Sequence, residues 1–126
     1  MKIDRLDHLV LTVKDIEATC KFYSTVLGME IVTFGSGRRA LSFGNQKLNL
    51  HEAGREYQPH AKYPTPGSAD LCFISAMPLS SVLDHLHACA VRVVEGPVER
   101  TGATGKIRSV YVRDPDQNLI EISEYV

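Results

Sequence analysis

Cysteine is scarce in this 126-residue sequence: it occurs three times, as Cys20, Cys72 and Cys89, with no CxxC pair. An odd count without that spacing excludes a disulfide framework and a cysteine-rich zinc site, and it favours a reducing interior. A basic excess is also missing. The formal net charge is -1, and the densest cationic stretches, Arg38-Arg39 and the scattered Lys106, Arg108 and Arg113, are short. Proteins that grip a phosphate backbone carry a basic stripe, so no nucleic acid partner is expected and these cations read as solvated surface. No segment approaches the roughly 18 to 20 apolar residues needed to cross a bilayer. The start, Met1-Lys2-Ile3-Asp4-Arg5, carries early charges and no apolar signal core. A cytoplasmic protein without a membrane partner is expected.

What is present is a unit used twice. Asp7 to Val13 reads as a strand, rich in aliphatic and β-branched residues. Asp15 stands at a helix N-cap, followed by the apolar stripe Ile16, Ala18, Phe22, Tyr23 and Val26, with Gly28 as the stop. Strands are then predicted over 30–34, 39–43 and 47–52, with Gly44-Asn45-Gln46 as a turn. The order recurs as a strand over 70–75, a helix over 79–89, and strands over 92–95, 107–112 and 118–123. Residues 96–106 are expected to form a loop. His8 aligns with Asp70 at an offset of 62, and His51 is expected to align with Glu121 at an offset of 70. Residues 57–67, with Pro59, Pro64, Pro66 and Gly67, suit a linker. The expected fold is therefore α+β, one domain over 1–126 made of two tandem βαβββ modules. Module one covers about 4–56 and module two about 68–125.

Alternation along the strands places His8, Asn49, His51, Asp70, Ser109, Tyr111 and Glu121 on the faces away from the helices. His8, His51, Asp70 and Glu121 are the candidate metal ligands. Two imidazoles with carboxylates suit a divalent ion such as Zn, Ni, Mn or Fe(II), and so few donors would leave an open position for a substrate. Asp70 is also a candidate proton carrier. Asn49, Ser109 and Arg55, the last directly after the fourth strand, are candidate pocket residues.

Three stretches, 6–13, Phe22-Tyr23 with Leu27-Gly28-Met29, and Arg113 to Glu121, resemble the vicinal oxygen chelate superfamily of glyoxalase I, extradiol dioxygenases, and fosfomycin and bleomycin resistance proteins. Residues 43–52 and 95–103 are similar to a narrower group, glyoxalase-domain-containing protein five and its bacterial virulence-type relatives. The resemblance implies sheets curled around a metal, with substrate oxygens chelating it. It matches His8 and Glu121 to the first-strand and last-strand ligands, and His51 to a position that is Glu in glyoxalase I. Asp70 replaces an expected His, and Tyr111 matches a pocket tyrosine with a catalytic role. Leu119 replaces the basic residue of the fosfomycin pocket. The implied activity is that of a metal-dependent glyoxalase-like lyase or extradiol-type dioxygenase acting on a small oxygen-rich substrate. A non-catalytic small-molecule binding or resistance protein is the alternative. A homodimer is implied, because relatives pair modules within or between chains.

Overall fold

Asp15 starts the first helix as its type and position require: its side chain accepts a hydrogen bond from the Ala18 N–H at 3.1 Å. The computed structural model describes all of residues 1–126. Element order is β1 (His8–Val13), α1 (Ile16–Thr25), β2 (Glu30–Phe34), β3 (Arg38–Phe43), β4 (Gln46–Glu52), β5 (Asp70–Ile74), α2 (Leu79–Ala88), β6 (Glu95–Thr101), β7 (Lys106–Arg113) and β8 (Leu119–Tyr125). The fold is α+β, with two mixed four-stranded sheets ordered β1-β4-β3-β2 and β5-β8-β7-β6. In each sheet the first and last strands pair in parallel and the others antiparallel, as a repeated βαβββ unit requires.

Two compact units divide the chain, Met1–Pro66 and Gly67–Val126. The boundary between them, Pro66 to Gly67, falls within residues 57–67, and Tyr57 packs its ring on His51. In the first unit the core is built from Leu11, Val13, Leu41, Leu48 and Leu50 together with Cys20 and Tyr23 of α1. In the second, the strand partners Val112↔Ile120 and Val110↔Ile122 bury one face of the sheet, and Leu79, Val82 and Leu86 are the buried side of α2. Each such aliphatic side chain contributes about 1.5 to 3 kcal/mol by leaving water. The cysteines are all free, and no helix is long and apolar enough to cross a membrane.

Two expectations about the second unit need correction. β6 runs over Glu95–Thr101, where 92–95 and a loop were expected. Val93 and Val94 attracted the strand assignment through their β-branching, and Val94 does donate its N–H to the Tyr111 carbonyl at 2.8 Å. The regular ladder nonetheless continues past Gly96-Pro97, because a bulge between Glu95 and Val98 absorbs the pair. β6 is an edge strand, where a proline without an N–H is tolerated.

The other correction concerns register. Val10 pairs with Asn49 and Cys72 pairs with Glu121. With Val10 and Cys72 as equivalents, the counterpart of Glu121 is Asn49, and that of His51 is Ser123. The expected alignment of His51 with Glu121 was two residues off. A slip of two preserves the face of every side chain, so alternation alone could not detect it.

Candidate functional site

In the first unit, the helix-free face is laid out in rows across the sheet. One row holds His8, Lys47 and Ser42, the next Val10, Asn49 and Ala40, and the third sets His51 beside Thr12 and Arg38 beside Phe34. His8 and His51 are four residues apart along this ladder, roughly 13 Å of strand at the usual rise. They project from one face and cannot share an ion, so the expected four-residue ligand set is not assembled. No three His, Cys, Asp or Glu side chains converge anywhere in the structure. His8 is exposed, with Nδ1 beside the Asp7 carboxylate at 2.8 Å.

His51 is only 2% exposed. The Arg38 guanidinium approaches its Nε2 at 3.4 Å and lies 4.3 Å from the centroid of the Tyr57 ring and 5.2 Å from that of Phe34. Burial first, and then the nearby Arg38 and His60, hold the imidazole pKa below its ordinary value; Glu56 acts weakly the other way. Nδ1 of His51, Oδ1 of Asn49 and Nε of Arg38 are buried without hydrogen-bond partners. A cavity of about 320 Å³ is lined by Val10, Thr12, His51, Pro59, His60 and Ala61. Arg55 stays outside this arrangement: it is 83% exposed and pairs with Glu52 at 3.2 Å.

The second unit does bring its expected residues together. Asp70, Tyr111 and Glu121 line a cavity of about 460 Å³ with Val94, Glu95, Arg113 and Leu119. Ser109 donates to Oε2 of Glu121 at 2.5 Å, and its own oxygen accepts from the Ser123 hydroxyl at 2.7 Å. Ser109 on β7 thus holds one carboxylate oxygen in place, with Ser123 of β8 backing it. The Tyr111 hydroxyl accepts from Nε of Arg100 at 3.0 Å, and Arg100 in turn donates to Glu95 at 2.7 Å. Burial pushes the Tyr111 phenol up, Glu121 adds to this, and Arg100 opposes it. Tyr111 is therefore a hydrogen-bond donor at neutral pH. Asp70 is exposed and is left without a hydrogen bond or an ion pair.

Residues that sequence reasoning missed have identifiable signals. Arg38, expected on the solvated surface as part of a short cationic stretch, is the first residue of β3, and its alternation with Ala40 places it on the Asn49 face. Its neighbour Arg39 is also no free surface charge, since it pairs with Glu17 at 2.7 Å. Arg100 lay in the expected loop, and Tyr57 in the expected linker.

The sequence profile of the Glyoxalase/Bleomycin resistance protein/Dioxygenase superfamily matches residues 5–122. Virulence protein STM3117 of Salmonella typhimurium is 60% identical over the whole chain, which spans 88% of that relative, and its crystal structure superposes with a TM-score of 0.99 over all of both chains. Glyoxalase domain-containing protein RDO1 of Mycosarcoma maydis is 54% identical over 99% of this chain and 70% of its own. At the level of fold alone, similarity extends to TnmS3, an antibiotic binding protein from Streptomyces (20% identity, TM-score 0.78, 100% of this chain and 99% of that one). It also extends to the fosfomycin resistance protein FosX of Listeria monocytogenes in complex with Mn(II) (22% identity, TM-score 0.67, 99% and 93%). The doubled βαβββ unit and the full-length match together show that the chain belongs to the Glyoxalase/Bleomycin resistance protein/Dioxygenase superfamily.

Proposed function

We propose that the protein is a metal-dependent enzyme of glyoxalase or dioxygenase type, acting on a small oxygen-rich substrate that chelates the ion through neighbouring oxygens. The observation that carries this reading is Glu121, whose carboxylate is oriented by Ser109, itself held by Ser123, in a cavity it shares with Asp70. Carboxylates that bind metals are commonly held this way by a surrounding hydrogen-bond shell.

The donor chemistry fits a divalent ion. Asp70 and Glu121, which line one cavity of the second unit, are the proposed ligands, with oxygens of the chelating substrate filling further positions. Such an oxygen-rich set suits Mn or another divalent ion that accepts carboxylate and substrate oxygens. When bound, the ion would supply Lewis-acid charge to the substrate oxygens. Tyr111 donates a hydrogen bond to the substrate from its protonated hydroxyl. Open strand edges in both sheets support a homodimer, which light scattering of the purified protein will test.

Metal analysis of untagged protein tests the reading. Stoichiometric metal is expected in wild type, lost in Glu121→Ala and kept in His51→Ala. Wild-type protein that holds no metal and has no affinity for added Zn, Ni, Mn or Fe(II) would remove it. Turnover of hemithioacetals against catechols then separates lyase from dioxygenase. A binding protein without turnover is the second reading, favoured by the absence of three converging donors and by the likeness to TnmS3. It predicts ligand binding that survives Glu121→Ala.

A further inference from the structure

The cluster of Arg38, His51 and Tyr57 takes no part in the function proposed above. A guanidinium has donors and no acceptor, so the contact of Arg38 Nη2 with His51 Nε2 at 3.4 Å requires a lone pair on Nε2. The proton of the neutral imidazole then sits on Nδ1. That N–H is buried, has no acceptor, and belongs to a residue lining the cavity of about 320 Å³. Burying an unsatisfied donor is unfavourable, which marks the position for an acceptor from outside the chain.

We propose that this cavity binds a small monocarboxylate with an apolar body, its carboxylate accepting a hydrogen bond from His51 Nδ1. The polar groups of the walls favour this occupant. Thr12 offers a hydroxyl beside His51, while both ring nitrogens of His60 are engaged, Nδ1 with the Ala61 carbonyl at 2.8 Å and Nε2 with Gln58 at 3.2 Å. Val10, Pro59 and Ala61 supply apolar wall. The charge comes from Arg38, which lies behind His51, has no carboxylate partner, and is stacked between Tyr57 and Phe34. Glu56, whose carboxylate accepts from the Gly54 N–H at 2.8 Å, opposes Arg38 and acts more weakly on His51 than Arg38 does. The positive charge of Arg38 suits a monoanion, whereas a phosphate brings more charge and stronger hydration than these walls can replace. The cavity volume is at the lower end of the range for small-ligand pockets, which suits a short aliphatic or single-ring acid. Arg38 is here a positioning residue, holding the imidazole in the tautomer that donates.

Benzoate is the probe, titrated into the full chain at neutral pH by calorimetry and by NMR of the His51 imidazole. Saturable binding of one benzoate per chain is expected, with a shift of the His51 ring signals and with benzamide and phosphate each roughly tenfold weaker or worse. R38M and H51Q should each weaken benzoate by roughly tenfold or more. If H51Q does not fold, R38M and the wild-type ring shift carry the test. The proposal stands on the first unit alone, so E121Q, which disables the proposed metal site, should leave benzoate affinity unchanged. Absence of saturable binding, an unshifted His51 ring, equal affinity for benzamide, tighter phosphate binding, or full affinity in R38M would each overturn it.

Discussion

Ser109 on β7 donates a 2.5 Å hydrogen bond to the Glu121 carboxylate on the neighbouring β8, and is itself fully buried. Removing that hydroxyl leaves the carboxylate with the longer contact from Ser123 at 3.4 Å. Ser109→Ala should therefore fold but lose about 1 to 3 kcal/mol in urea denaturation. Its metal affinity should fall roughly 10-fold to 100-fold by titration. A variant with wild-type metal affinity would show that the serine does not support Glu121.

Asn118 ties the turn before β8 to the start of β5. Its backbone N–H and side-chain amide donate to the two oxygens of Asp114 at 2.9 and 2.8 Å, and its side-chain oxygen accepts from Ala69 N–H at 2.8 Å. Asn118→Ala removes one donor to Asp114 and leaves the Ala69 N–H without its acceptor, so a loss of about 1 to 3 kcal/mol is expected from the shift in urea midpoint.

Gly96 has φ of +103°, and a Cβ there would lie 2.4 Å from the Ser109 carbonyl oxygen and 3.0 Å from the Val110 Cα. These are backbone atoms of the paired strand, which cannot rotate away. Gly96→Ala should destabilise the protein by more than about 2 kcal/mol. It should also displace Ser109, which amide shifts at Ser109 and Glu121 will report.

His51 makes stability fall on acidification. Its folded-state pKa lies below the ordinary value near 6.5, through burial first and then Arg38 and His60, with Glu56 opposing. Above that ordinary value both folded and unfolded chains hold a neutral imidazole. As pH drops below it the unfolded chain gains a proton that the folded chain refuses, which favours unfolding until the folded pKa is also passed. Urea midpoints between neutral pH and pH 5 should therefore fall less steeply in His51→Gln than in wild type. Parallel slopes would show that His51 does not contribute.

Local signals in the sequence carried much of the fold. Asp15 caps α1, Gly28 at φ +68° follows that helix, and the polar and apolar faces of β1, β4, β5 and β8 are as alternation requires. The α2 start shows the limit of such signals. Pro78 provides no side-chain cap, and the Leu79 N–H is instead accepted by Glu124, 45 residues away, at 2.7 Å. No local pattern encodes a partner at that distance.

The candidate site divides along the same line. Period-two alternation is a property of each strand alone, and it determined that His8, Asn49, His51, Asp70, Ser109, Tyr111 and Glu121 point away from the helices. Which of these meet depends on how far one strand is slid along another, and a slide of two residues leaves every face unchanged. Only the tertiary ladders decided that Asn49 and not His51 is the counterpart of Glu121, and that His51 belongs instead with Arg38 and Tyr57.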